Sequence, residues 1–260
     1  MNFRQLARRI HHFLEIYGLD GQKFVTSVRN TPHFLRTLSA YRTQSQFEER
    51  FRLQIKELTP ILHEFSDPAG SATGHYFYQD LWAARKVYAA QPATHLDIGS
   101  RIDGFVTHLL TFMAVTVIDI RPLQSNLAGL TFLQADATDL TGIPDNSVES
   151  LSSLHAVEHF GLGRYGDPVA PAACFCAMRA LARVLKPGGK LYFSVPIGIE
   201  RVAFNAHRVF APSTIRETFA ELELVSFAAV DDNDCFHADA TGQPLDSAQF
   251  ACGLYEFTKK

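Results

Sequence analysis

Residues 93–105 read ATHLDIGSRIDGF, and this stretch decides the fold. A short apolar run ends in Asp97-Ile98-Gly99, the signature of a buried strand stopped by a turn. The turn covers Gly99-Ser100-Arg101-Ile102-Asp103-Gly104. Residues 105–112, FVTHLLTF, then show helical spacing. Strand, turn and helix repeat downstream. AVTVIDI (114–120) and LTFLQAD (130–136) are β-rich runs that carry Asp119 and Asp136 near their ends. SVESLSSL (147–154) and KLYFSVP (190–196) are further strands. Between them PAACFCAMRALARVL (171–185) predicts a strong helix, closed by Lys186-Pro187-Gly188-Gly189. PSTIRETFAEL (212–222) predicts another helix, and ELVSFAAV (223–230) and QFACGLYEF (249–257) two last strands. Alternating strands and helices imply an α/β, doubly wound Rossmann-like sheet. The last two strands lack an intervening helical pattern, so an antiparallel pair at one edge is expected.

Upstream the texture differs. Residues 1–17 have helical spacing with Leu6, Ile10, Phe13 and Leu14 on one side. Thr31-Pro32 predicts a helix start, followed by a stripe of Phe34, Leu35, Leu38 and Tyr41. Residues 51–55 alternate and favour a short extended piece. The turn-rich DPAGSATG (67–74) then separates a mainly helical N-terminal extension, 1–66, from a second domain, 67–260. A helix follows, with Phe77, Leu81, Ala84 and Tyr88 on the face expected to pack, stopped by Pro92.

The chain has 260 residues and a formal net charge of -3, which gives no general pull toward nucleic acid. Residues 1–60 hold ten Lys/Arg against five Asp/Glu, a basic arm on an acidic body. Cys174, Cys176, Cys235 and Cys252 lack zinc-ribbon spacing and read as reduced thiols of a cytoplasmic protein. No segment approaches the length of a membrane span.

In a doubly wound sheet, ligands sit at the carboxyl ends of the strands. Asp97, Asp119 and Asp136 fall at three such ends. Asp119 follows Asp97 at the distance where a carboxylate accepts from ribose hydroxyls, and Asp136 suits an adenine amino group. Asp97 would repel a pyrophosphate but suits a ligand bearing an ammonium and a sulfonium. That favours S-adenosylmethionine over NAD, as does the lack of G-x-G-x-x-G in the first turn.

Residues 155–168, HAVEHFGLGRYGDP, carry two competing patterns. His155-Ala156-Val157-Glu158-His159 spells the H-x-x-E-H of a zinc peptidase. A zinc motif of that kind needs a helix to turn both imidazoles to one ion. Here it leaves a strand and meets Gly161 two residues on, so no metal is expected. Gly161-Leu162-Gly163-Arg164-Tyr165-Gly166 spells a dinucleotide fingerprint, but it follows the fourth strand and runs into Asp167-Pro168. It reads as a loop over the pocket mouth.

In order, HLDIGSRIDGF, VTVIDIRPL, LQADATDL, HAVEHFGLGRYGDP and RVLKPGGKLYFSVPIG resemble a class I S-adenosylmethionine-dependent methyltransferase. More narrowly, AGSATGHYFYQDLWAARKV, EHFGLGRYGD and FNAHRVF resemble a bacterial methyltransferase-like family of unassigned function that accompanies surface-polysaccharide synthesis. The resemblance implies a seven-stranded sheet with an antiparallel last strand. It implies a cofactor site of Asp97, Gly99, Ser100, Arg101, Gly104, Asp119, Ile120, Asp136 and Ala137. One departure is Arg101, which replaces the middle glycine of the usual first loop and suits the methionine carboxylate.

Methyl transfer from a sulfonium needs alignment, and a hydroxyl acceptor needs a base. His155 is the first candidate, with Glu158 and His159 beside it. Tyr76, Tyr78, Gln79, Arg164, Tyr165 and His207 are expected to wall the acceptor pocket or close it as a lid. The expected activity is O-methylation of a small-molecule or glycan acceptor, with a second copy of the chain, in a homodimer, as a candidate partner. The alternative is a non-catalytic binding module of the same fold within a polysaccharide-assembly complex.

Overall fold

A computed structural model of the chain describes residues 14–47 and 50–260. It divides into two compact units, Met1–Ser71 and Ala72–Lys260. Most of the helix expected over 1–17 lies outside the described residues.

The first unit is built on helix α1, Gly21–Gln44. Its start is set by Asp20, whose carboxylate accepts from the Gln22 and Lys23 amides. The expected start at Thr31-Pro32 is therefore corrected: Pro32 lies inside the helix. A proline there has no N–H to offer the carbonyl four residues back, a local cost that the capped helix bridges. Residues 51–55 form no strand; Ile55–Glu57 is instead a 3-10 turn. Asn30 Nδ2 donates to the Leu62 carbonyl and His33 lies against Phe65, tying this segment back to α1.

The second unit is an α/β sheet built from β1 (Leu96–Ile98), β2 (Val115–Asp119), β3 (Leu130–Gln134), β4 (Val148–Leu154) and β5 (Leu185–Ile197). The hairpin β6 (Arg201–Ala203) and β7 (His207–Val209) stands apart. β8 (Leu222–Val230), β9 (Phe236–His237) and β10 (Ala251–Lys259) complete the main sheet. The strand order is β3-β2-β1-β4-β5-β10-β8-β9. The first five are parallel, and β10 is antiparallel to both neighbours. This is the sheet the resemblance implies, with its last long strand antiparallel and two-residue β9 added as an eighth at one edge. The late antiparallel pair forms, but β10 sits inside the sheet rather than at its edge.

Both faces are covered. Along β5, Leu191, Phe193, Val195 and Ile197 turn to one layer and Tyr192 to the other, the period of two of a pleated strand. The first layer is α4 (Ala173–Val184), which presents Cys174, Ala177, Met178 and Leu181 at helical spacing. The second layer holds α2 (His75–Ala90), a π-turn over Ile102–Val106 and the short α3 (Thr107–Leu110). Helix α5 (Pro212–Thr218) starts on its proline. The buried residues of α2 are Gln79, Asp80, Trp82, Ala83, Ala84 and Val87, whereas Phe77 and Tyr88 are exposed. Of the face expected from Phe77, Leu81, Ala84 and Tyr88, Ala84 is buried and Leu81 half-buried; the packed face is rotated from it because two polar residues, Gln79 and Asp80, are taken inside. Gln79 Oε1 accepts from Ser194 Oγ of β5 at 2.6 Å.

Candidate functional site

β1, β2 and β4 end together, and a pocket of about 290 Å3 opens there. Gly99 supplies its floor after β1. Its φ is +67°, and a Cβ would lie 3.1 Å from that of Ala156, so both shape and backbone call for glycine. Asp119, Ile120 and Arg121 line the pocket from β2, Asp136, Ala137 and Thr138 from the turn after β3, and His155 and Ala156 from beyond β4. The loop after His159 closes the far side with Gly161, Tyr165 and Asp167.

The three strand-end aspartates differ. Asp97 is fully buried and does not line the pocket, which corrects its expected contact with a ligand ammonium. Its oxygens accept from Ser100 Oγ at 2.6 Å, Ser100 N at 3.0 Å and Ser152 Oγ at 2.5 Å. Ser152 in turn meets His95 Nε2 at 2.9 Å. Asp97 thus shapes the first turn from behind. Burial pushes its carboxyl up to about 6. Ser100 serves the same network and Gly104 lies under Asp80, where a Cβ would come 2.2 Å from Oδ2. Neither lines the pocket. Asp119 does, but Arg121 grips it through Nε at 3.0 Å and Nη2 at 2.6 Å. Asp136 faces the pocket, with one oxygen taken by the Thr138 amide and hydroxyl. Arg101 also reaches it, its guanidinium paired with Asp103 and 4.9 Å over the Tyr76 ring.

The loop from Gly161 is folded on one carboxylate. Asp167 accepts from the Gly161, Gly163 and Tyr165 amides. Arg121 lies 4.5 Å over the Tyr165 ring, and Arg164 lies 5.1 Å from the same ring. Arg164 also donates to the Ala206 carbonyl, which receives His159 Nδ1 as well.

A second, smaller chamber of about 140 Å3 adjoins the first. Tyr76, His155, His159 and Tyr165 belong to both, and Glu158, Arg164, Pro196, His207 and Phe250 complete it. Tyr78 and Gln79 do not reach either chamber. Tyr78 stacks on Phe236 and Gln79 is held by Ser194, so of the three α2 residues expected to wall the pocket only Tyr76 does.

The geometry separates the two histidines. His155, with φ of +49°, sets Nδ1 2.9 Å from Glu158 Oε1 and Nε2 3.3 Å from Cys252 Sγ. Both ring nitrogens are therefore engaged within the protein. Burial works to lower its basicity, but Cys252 and Glu158 outweigh it and hold the imidazole well above the usual range. His159 has Nδ1 on the Ala206 carbonyl and Nε2 3.7 Å from Glu158. Burial keeps it below the usual histidine range. Glu158 is fully buried, and neither oxygen has a well-aligned hydrogen bond among the described residues. The close approach to His155 is thus a charge contact set off the ideal hydrogen-bond angle.

The comparisons with known proteins come down on the fold. A family model described as Caenorhabditis protein of unknown function, DUF268, matches residues 141–249, which include both histidine-bearing loops. No curated protein matches. A provisionally named sarcosine dimethylglycine methyltransferase from Galdieria sulphuraria is similar at a TM-score of 0.50 and 15% identity, over 71% of this chain and 86% of its own. The N-methyltransferase NodS from Bradyrhizobium japonicum WM9, solved with S-adenosylhomocysteine, aligns at 0.48 and 16%, over 71% and 87%. A 1,6-didemethyltoxoflavin-N1-methyltransferase from Burkholderia thailandensis, also with S-adenosylhomocysteine, aligns at 0.48 and 16%, over 70% and 78%. The chain has the methyltransferase fold. None of these relatives points to the polysaccharide-associated family. Among the described residues, no helix is long and apolar enough to cross a membrane.

Proposed function

We propose that the chain binds S-adenosylmethionine in the larger chamber and transfers its methyl group to an acceptor in the smaller one. The observation that carries this reading is the pair of chambers meeting at Tyr76, His155 and His159. Asp119 and Asp136 offer carboxylate acceptors to a nucleoside, and Gly99 lets the chain approach it closely. A sulfonium at the junction would face the Tyr76 ring, a cation–π surface. The substitution is in-line, so the protein's work is alignment and exclusion of water.

The acceptor chamber mixes aromatic rings with His159, Arg164 and His207, which suits a hydroxylated small molecule or sugar. His159 is the proton acceptor. Its Nδ1–H is committed to Ala206, which leaves Nε2 with the lone pair. Its lowered basicity keeps it neutral near pH 7, ready to accept. His155 has no nitrogen left for that task.

Arg121 favours a second reading, a binding module that holds a ligand without transfer, because it already grips the carboxylate that a ribose would use. Thermal unfolding tests the cofactor binding that the first reading requires and the second does not. S-adenosylhomocysteine at a hundredfold excess over its Kd should stabilise the protein by about 2.7 kcal/mol, and NAD should not. No shift at millimolar S-adenosylhomocysteine would sink the methyl-transfer reading.

A further inference from the structure

Beside the acceptor chamber, three donor side chains converge from three elements. His75 opens α2, His155 follows β4 and Cys252 lies on β10. One ring nitrogen from each histidine and the Cys252 sulfur lie within 4.8 Å of one another. His155 Nε2 and Cys252 Sγ are already 3.3 Å apart. A tetrahedral zinc site, with bonds of roughly 2.0 Å to nitrogen and 2.3 Å to sulfur, sets its ligands about 3.4–3.6 Å apart. Closing the set therefore asks for a shift of roughly 1 Å in His75. That residue is only partly buried and follows Gly74, whose φ is +88°.

We propose that His75, His155 and Cys252 form a three-ligand Zn2+ site. Its fourth position opens into a cavity of about 560 Å3 that His75, His155, Asp232, Asp234 and Phe250 help to line. Two nitrogens and one sulfur are a borderline-soft set that suits zinc, and three protein ligands with one open position is the pattern of a reactive rather than a structural site.

Glu158 is the independent support. A zinc-bound imidazole hands its other ring N–H to a carboxylate, which fixes the tautomer. Glu158 Oε1 sits 2.9 Å from His155 Nδ1, close to that place but off the ideal angle. The carboxylate is fully buried, with neither oxygen well hydrogen-bonded among the described residues. Protonated His155 meets that charge in the metal-free chain, and a dication on its Nε2 would meet it in the loaded one. With a Cys252 thiolate and the Glu158 carboxylate, a dication brings the local charge to zero. The H-x-x-E-H stretch then acts in three dimensions rather than along a helix. Its first histidine binds, its glutamate orients, and its last histidine turns to the acceptor chamber.

The site does not depend on the methyl-transfer reading, and one set of samples tests both. Full-length protein without a polyhistidine tag is analysed for metal, then stripped and titrated with Co2+. The expected result is one zinc per chain, and a saturable Co2+ spectrum with tetrahedral intensity and a thiolate charge-transfer band. Cys252→Ser should lose that band and Cys176→Ser should keep it. His75→Gln, at a half-buried helix start, should weaken Co2+ binding at least tenfold, and Glu158→Gln should weaken it 10–100-fold. Circular dichroism checks that each variant folds. No saturable Co2+ spectrum in the wild type overturns the site, as does wild-type affinity in folded His75→Gln. Stabilisation by S-adenosylhomocysteine without metal binding sinks the zinc site alone, and the converse sinks methyl transfer alone.

Discussion

Asp97 shows how far a single residue's surroundings decide its role. Its carboxyl is fully buried and raised to about 6, so between pH 4 and 6 the folded protein keeps a proton that the unfolded chain releases. Stability must then fall as pH rises through that window, by about 3 kcal/mol in total. Asp97→Asn removes the titration. The stability difference between wild type and variant should therefore change with pH from 4 to 6 and level off above. Parallel pH profiles would show that Asp97 does not titrate there. Asp119 carries a different expectation. Asp119→Ala should weaken S-adenosylhomocysteine binding at least tenfold, since charge-assisted hydrogen bonds are worth about 1.5–3 kcal/mol each. Calorimetry on the folded variant measures this, and an unchanged Kd would place the ribose elsewhere. The three strand-end carboxylates were legible in the sequence, because strand ends and turns leave a local trace. Their division of labour was not. Ser152, which draws Asp97 inward, lies 55 positions away on β4. Arg121 stood in plain view two residues after Asp119, but only the fold shows its guanidinium folding back.

The loop of Gly161 to Gly166 is an element held by few contacts of great consequence. Gly161 has φ of +74°, and a Cβ there would come 2.0 Å from the Ala170 carbonyl oxygen. Gly166 has φ of +84° but open space around it. Gly161→Ala should therefore open the loop and hasten proteolysis between 161 and 170, while Gly166→Ala costs about 1 kcal/mol of backbone strain. Limited proteolysis checks this, and equal cleavage of the two would contradict it. Asp167→Ala should resemble Gly161→Ala, because it frees three amides at once. The sequence showed a loop here, since glycines at this spacing mark backbone that other residues resist. It also showed α4 nearly whole, because strong periodicity survives without context, but only the later half of β5, which starts at Leu185 and takes in the Lys186–Gly189 stretch expected to be a turn. It misplaced the face of α2, where tertiary partners such as Ser194 accept polar side chains that a simple apolar stripe leaves out. It also put a helix start at Pro32, because a proline looks the same at a first turn and inside a helix. The cap at Asp20 decides between them.

At the scale of the molecule, every residue lining the two chambers comes from Tyr76 onward. A chain beginning at Ala72 should thus fold and bind S-adenosylhomocysteine with the Kd of the full chain. Loss of binding in a folded fragment would assign the first unit a part in the site. The sheet order has another consequence. β10 lies between β5 and β8 and fills the gap between them with two ladders. Glu256 of β10 also pairs with Lys190 of β5 at 2.7 Å, across 66 positions of chain. On a translating ribosome, β5 and β8 both emerge before the strand that joins them. For that interval two apolar strands expose bare amides and carbonyls, the kind of edge that recruits other chains. Until Ala251–Lys259 docks between them, those two edges stay open to other chains.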